Sequence, residues 1–178
     1  MLRSTALVVV LLTQSNVFPQ TIHAIPFASA GNTIELIIHN SSPNPLPALS
    51  IEALSYPSWL RFEQTRQTLS TLAPGEEVVV HTMFSVDKSA PVGTEEMLSF
   101  AIRDAKGENW TKEIRVSVTA PERFELFQNY PNPFNPTTAI SYQLSGESRV
   151  RLSIFNPLGQ EVAVLVDEDR PAGLCANR

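Results

Sequence analysis

Three histidines, one cysteine and a few runs of carboxylates are the side chains here with the most reactive or metal-binding chemistry. His23, His39 and His81 fall in three separate segments, so none supplies a neighbour with a second ligand or a base. No His-x-x-x-His, Cys-x-x-Cys, Gly-x-Ser-x-Gly or phosphate-cradling glycine loop occurs. The carboxylate pairs Glu76-Glu77 and Glu95-Glu96 sit in strand patterns, where adjacent side chains point to opposite faces and cannot converge as an acid/base dyad. Asp167-Glu168-Asp169 is a third acidic run. Asp104-x-x-Gly107-Glu108 has oxygen donors for calcium, but its spacing fits a hairpin turn better. Trp59 and Trp110 could form a carbohydrate platform if exposed, and are expected in the core. Asn40-Ser41-Ser42 and Asn109-Trp110-Thr111 have the spacing of glycosylation acceptors. Cys175 is a single thiol without an internal partner. The expectation is a protein that is not an enzyme, with no catalytic residues, no metal site and no cofactor.

The elements that carry these residues read as β throughout. From residue 31 to about 120 apolar residues recur with period two. Ile34, Leu36 and Ile38 share one face. So do Val78, Val80, Thr82, Phe84 and Val86, as do Leu98, Phe100 and Ile102, and Ile114, Val116 and Val118. His39 and His81 then lie opposite the apolar side. Turn signals separate the runs: Ser41 to Pro47, Ala73-Pro74-Gly75-Glu76, Ala90-Pro91-Val92-Gly93 and Asp104 to Gly107. About seven short strands with such spacing predict an antiparallel β-sandwich. The turns Leu72-Ala73-Pro74-Gly75-Glu76 and Ala90-Pro91-Val92-Gly93-Thr94 resemble those of immunoglobulin-like modules in bacterial surface proteins.

The 178 residues carry a formal net charge of −5, with three scattered lysines and no basic stripe, which excludes nucleic acid as an expected partner. Arg3 followed by the apolar Ala6 to Leu12 and the polar Thr13 to Asn16 has the layout of an export leader, placed at residues 1–24. That apolar run is too short to span a bilayer, which takes roughly 20 residues, so no stable transmembrane segment is expected. A lipid anchor finds no cysteine there.

At Ala120-Pro121 a second unit begins, spanning residues 121–178 and expected to be a smaller, incomplete β-sandwich. It opens on Tyr130, Pro131, Asn132, Pro133, Phe134, Asn135, Pro136, Thr137 and Thr138, a run whose prolines fix φ and delete amide donors. Such a run can be neither helix nor central strand, so its side chains must make the contacts. Alternating strands follow, Ile140-x-Tyr142-x-Leu144 and Val150-x-Leu152-x-Ile154, then the connection Asn156-x-Leu158-Gly159-Gln160 and a third strand from Glu161 to Val166.

The ordered set from Phe124-Glu125-Leu126 through Gln128 to Thr138, Leu158-Gly159-Gln160 and Ala172-Gly173 is similar to the type A C-terminal sorting domain of type IX secretion cargo. That resemblance implies recognition by the outer-membrane type IX machinery, with the run Tyr130 to Thr138 and Leu158, Gly159 and Gln160 as the sorting motif. It also implies an extracellular or cell-surface location in a Gram-negative bacterium, periplasmic if the module does not function. The family continues with further strands after Ala172-Gly173. Here Leu174-Cys175-Ala176-Asn177-Arg178 shows no strand alternation, and an unpaired edge and a half-covered apolar face are expected. The other readings are an adhesion module that binds a surface polysaccharide or protein, and the remnant of a larger secreted hydrolase.

Overall fold

The computed structural model describes residues 5–11 and 21–177. The described residues are all-β, without a helix, and divide into two compact units, Met1–Thr119 and Ala120–Arg178.

In the first unit, β1 (Thr5–Leu11), β3 (Asn32–His39), β7 (Glu77–Val86) and β5 (Leu60–Phe62) form one sheet in the order β1-β3-β7-β5. A second sheet has the order β2-β9-β8-β4-β6, built from β2 (Ile22–Pro26), β9 (Asn109–Thr119), β8 (Glu95–Asp104), β4 (Leu49–Ser55) and β6 (Arg66–Leu69). Their apolar faces share one core. Ile34, Leu36, Ile38, Val80 and Phe84 come from the first sheet, and Leu49, Leu98, Phe100, Ile102 and Val116 from the second. Phe62 joins the layers, with its ring 5.6 Å from Phe100 and 6.0 Å from Phe84. Gln67 reaches across from β6, donating to the His81 carbonyl at 3.0 Å and to the buried Thr82 hydroxyl at 3.4 Å.

Two pairings depart from the antiparallel expectation. β1 runs parallel to β3, and β2 runs parallel to β9. Alternation along one strand records which face is buried, not the direction of a neighbour, so neither pairing could be read locally. Ala6 to Leu11 of the apolar run expected as the heart of an export leader thus lie in an edge strand, whereas Arg3, Leu12 and Thr13 to Asn16 lie outside the described residues. A leader boundary at residue 24 would divide β2, whose Ile25 is fully buried.

The loop after β3 is tied down by one side chain. Asn40 is completely buried, and its Nδ2 fans across the carbonyls of Asn44 (3.0 Å), Leu72 (3.0 Å) and Ala73 (3.1 Å). Its Oδ1 accepts from the Ser42 amide at 3.0 Å and the Ser42 hydroxyl at 2.8 Å. The segment after it carries Pro43, Pro45 and Pro47 and the turn it reaches carries Pro74, and Asn40 adds side-chain donors where these prolines have no amide to give. The turn it reaches is closed at Gly75, whose φ of +74° is open to glycine without strain.

In the second unit, β10 (Glu125–Leu126), β11 (Ile140–Leu144) and β14 (Gly173–Asn177) form a three-stranded sheet, and β12 (Ser148–Phe155) pairs with β13 (Glu161–Arg170) as a hairpin. Tyr142, Leu144 and Val166 are its buried apolar side chains. The tail is where expectation fails: Gly173–Asn177 is a strand, antiparallel to β11, with Cys175 opposite Tyr142. Asn177 Nδ2 also donates to the Leu165 carbonyl of β13 at 3.2 Å.

The hairpin has two unlike faces. Val150, Leu152 and Val166 lie on one, while Arg149 and Arg151 on the other bridge Asp167 at 2.9 and 3.3 Å, and Arg151 also holds Glu161 at 3.0 Å. Among the described residues, the outer edge of β13 has no strand beside it.

Candidate functional site

The reactive side chains stay apart. His39 and His81 sit on the outer face of the first sheet, where His81 Nδ1 lies 3.6 Å from Glu35. His23 is in β2, half-buried, and burial followed by the nearby positive Lys112 lowers its pKa below the ordinary histidine value. A lowered folded-state pKa means that the unfolded chain binds more protons below pH about 6.5, so stability falls as the solution is acidified through that range. His23→Gln is expected to flatten this part of the curve, read as the urea midpoint against pH. An unchanged slope would disprove it.

Asp104 commits Oδ1 to its own hairpin, accepting from the Lys106 amide at 2.9 Å and the Glu108 amide at 2.8 Å, with Gly107 at a φ of +94°. Among the described residues no group of three or more His, Cys, Asp or Glu could hold a metal ion. The acidic run 167–169 lies on β13, with Asp167 and Glu168 in ion pairs to arginines. Trp59 is only 7% exposed and Trp110 packs against the core, which removes the carbohydrate platform. Asn40 is equally ill-placed as a glycosylation acceptor, being buried with its Nδ2 fully engaged.

The sorting-motif residues are arranged differently. Tyr130 and Ala139 exchange two backbone hydrogen bonds of 2.9 Å, closing the segment Pro131 to Thr138 into a loop. Inside it the Thr138 hydroxyl donates to the Pro131 carbonyl at 2.8 Å, and Asn129 Nδ2 donates to Thr138 Oγ1 at 3.0 Å. One step back, the Phe127 amide donates to the Ser141 carbonyl at 2.9 Å, so the base of the loop is zipped onto β11. Every residue from Tyr130 to Thr137 is exposed. Tyr130 is 81% exposed and Phe134 is 55% exposed. These rings are therefore held largely in solvent. Phe127 is half-buried.

The second motif segment repeats the arrangement. Asn156 Oδ1 accepts from the amides of Leu158 and Gln160, both at 3.0 Å, and its Nδ2 donates to Gln160 Oε1 at 2.9 Å. Gly159 takes the turn with a φ of +79°, where a side chain would be strained. Leu158 at the tip is 84% exposed. In both segments the polar side chains stitch the backbone and the apolar ones are displayed. Asn129, Thr138 and Asn156 are the residues on which this depends. The signal for Asn156 was local, an asparagine opening a tight turn, whereas Asn129 needs the fold to meet Thr138. The structure shows these two loops each by itself.

No family model matches the chain, and neither does any curated protein. Among solved structures, a protein of unknown function from Porphyromonas gingivalis W83 is similar at 16% identity and TM-score 0.39, over 88% of this chain and 76% of that one. The CupB2 chaperone of Pseudomonas aeruginosa is similar at 11% identity and TM-score 0.34, over 88% and 85%. The secreted serine protease VesC of Vibrio cholerae is similar at 8% identity and TM-score 0.37, over 86% and 42%. Likeness this weak carries no inference. No helix among the described residues is long and apolar enough to cross a membrane.

Proposed function

We propose that this is an exported, non-catalytic protein whose second unit is a type IX sorting module and whose first unit is an immunoglobulin-like sandwich acting as a spacer. One observation carries the reading. The motif segments that resemble the sorting family hold their apolar side chains, Tyr130, Phe134 and Leu158, out in solvent on internally hydrogen-bonded loops. A purely structural closure would bury those groups, because each large apolar side chain gains about 1.5–3 kcal/mol on burial. Exposed apolar groups on a pre-ordered backbone suit recognition by another surface.

The test is export of the full chain in a type IX-competent bacterium and in an otherwise identical strain lacking the translocon. Protease accessibility on intact cells should be high in the first strain and lost in the second. Retention in the periplasm of both strains would overturn the sorting role.

A further inference from the structure

We infer that the loop closed by Tyr130 and Ala139 is a charge-free docking knob whose two exposed rings, Tyr130 and Phe134, enter apolar pockets on a folded protein partner. The inference deepens the sorting reading and rests on it. Three observations converge on the loop. No Asp, Glu, Lys, Arg or His lies between Glu125 and Glu147, in a chain that elsewhere carries 13 lysines and arginines and 18 aspartates and glutamates. Depletion of charge with enrichment in Tyr and Phe is the composition of an interface core, not of a solvated rim.

The backbone is also fixed before any partner arrives. The paired hydrogen bonds between Tyr130 and Ala139, with the chain of bonds from Asn129 to Thr138 to the Pro131 carbonyl, remove most of the ordering cost of docking. Asn129 and Thr138 are therefore positioning residues, acting through the loop and not on the partner.

The mode of contact follows from the prolines. Pro131, Pro133 and Pro136 have no amide to donate, so the loop cannot join a sheet edge as an added strand. Side chains must carry the binding. Exposed Asn132 and Asn135 lie on either side of Phe134 in the sequence, and their amides need hydrogen-bonding partners once water is excluded. Hydrocarbon offers none and the loop has no cation for anionic headgroups, so a protein surface fits where a bilayer does not.

The experiment uses the full chain and outer-membrane vesicles from a type IX-competent bacterium, from a strain lacking the translocon, and protein-free vesicles of the same lipids. Binding is measured by sedimentation at low and high salt. The native chain should bind the translocon-bearing vesicles alone, with little salt dependence. Tyr130→Ala and Phe134→Ala should each weaken binding by about thirtyfold, as for removal of a buried aromatic anchor. Tyr130→Phe should retain it. Asn129→Ala should weaken it moderately while loosening the loop, seen as faster hydrogen exchange at the Ala139 amide, with an unchanged melting temperature.

Native-strength binding by both alanine variants would overturn the anchors while leaving sorting intact. Equal binding to bare lipid would make the loop a membrane patch. Binding that collapses in high salt would make the contact charge-led, and each of these results overturns the proposal. If the native chain neither binds nor is exported, the sorting reading falls and takes the anchors with it.

Discussion

Replacing Asn40 by alanine is expected to destabilise the first unit by about 3–5 kcal/mol, among the larger effects of any single substitution. The side chain is completely buried and serves three carbonyls and two Ser42 donors at once. Truncation leaves the Leu72 carbonyl with the Leu46 amide alone, strips the same side-chain donor from the Asn44 and Ala73 carbonyls, and opens a cavity besides. Asn40→Asp should be comparably harmful, because a carboxylate keeps the acceptor and loses both donors. Urea unfolding of the full chain, followed by tryptophan fluorescence from the two first-unit tryptophans, reads the loss directly. A change under about 1 kcal/mol would mean that water replaces the side chain freely.

Tyr142→Ala should unfold the second unit and leave the first standing. Tyr142 is only 1% exposed and is the largest buried side chain in a unit whose other buried apolar residues are Leu144 and Val166. Loss of such an aromatic costs about 3–5 kcal/mol, and a unit of this size has only about 3–9 kcal/mol to lose. Hydrogen exchange should show protection disappearing from β11 to β14 while β3, β7 and β8 keep theirs. Loss of protection in both units, or in neither, would contradict the prediction. The hydroxyl is a separate matter. It is buried without a hydrogen-bond partner among the described residues, and burial first, with the nearby Cys175 second, raises its pKa above the ordinary phenol value. Tyr142→Phe should therefore be close to neutral, which separates the ring from its polar end.

What could be read from residues alone, and what could not, divides along a physical line. The alternation in β7 placed Val80, Thr82, Phe84 and Val86 inward, and all four are buried. The same reasoning put His39 and His81 on the outer face. Period two is a local property, so a local reading finds it. Strand partners are not local. Nothing in Ile22–Pro26 announces a parallel neighbour in β9, and nothing in Gly173–Asn177 announces a strand. Gly173, Cys175 and Asn177 occupy one side of β14 and leave no apolar stripe to read. That segment is a strand because β11 offers a free edge beside Tyr142, a reason supplied by the rest of the unit. The candidate loops show the opposite failure. Tyr130 and Phe134 are large and aromatic, which by residue type alone suggests burial, yet a backbone closed upon itself with three prolines holds them outside. Asn129 and Asn156 fall outside the expected sorting motif and Thr138 inside it, and the hydrogen bonds of all three hold the display in place.

The outer edge of β13 gives the second unit one more property. Val162, Val164 and Leu165 on that strand are exposed and rich in β propensity, the makings of a template for other chains. After the buried Val166 come Asp167, Glu168 and Asp169. Copies stacking in register along this edge would bring three carboxylates of one strand against three of the next at a spacing of roughly 4.8 Å. Such stacking would set like charges against one another, so the acidic run would oppose fibre growth along a strand whose other half is apolar.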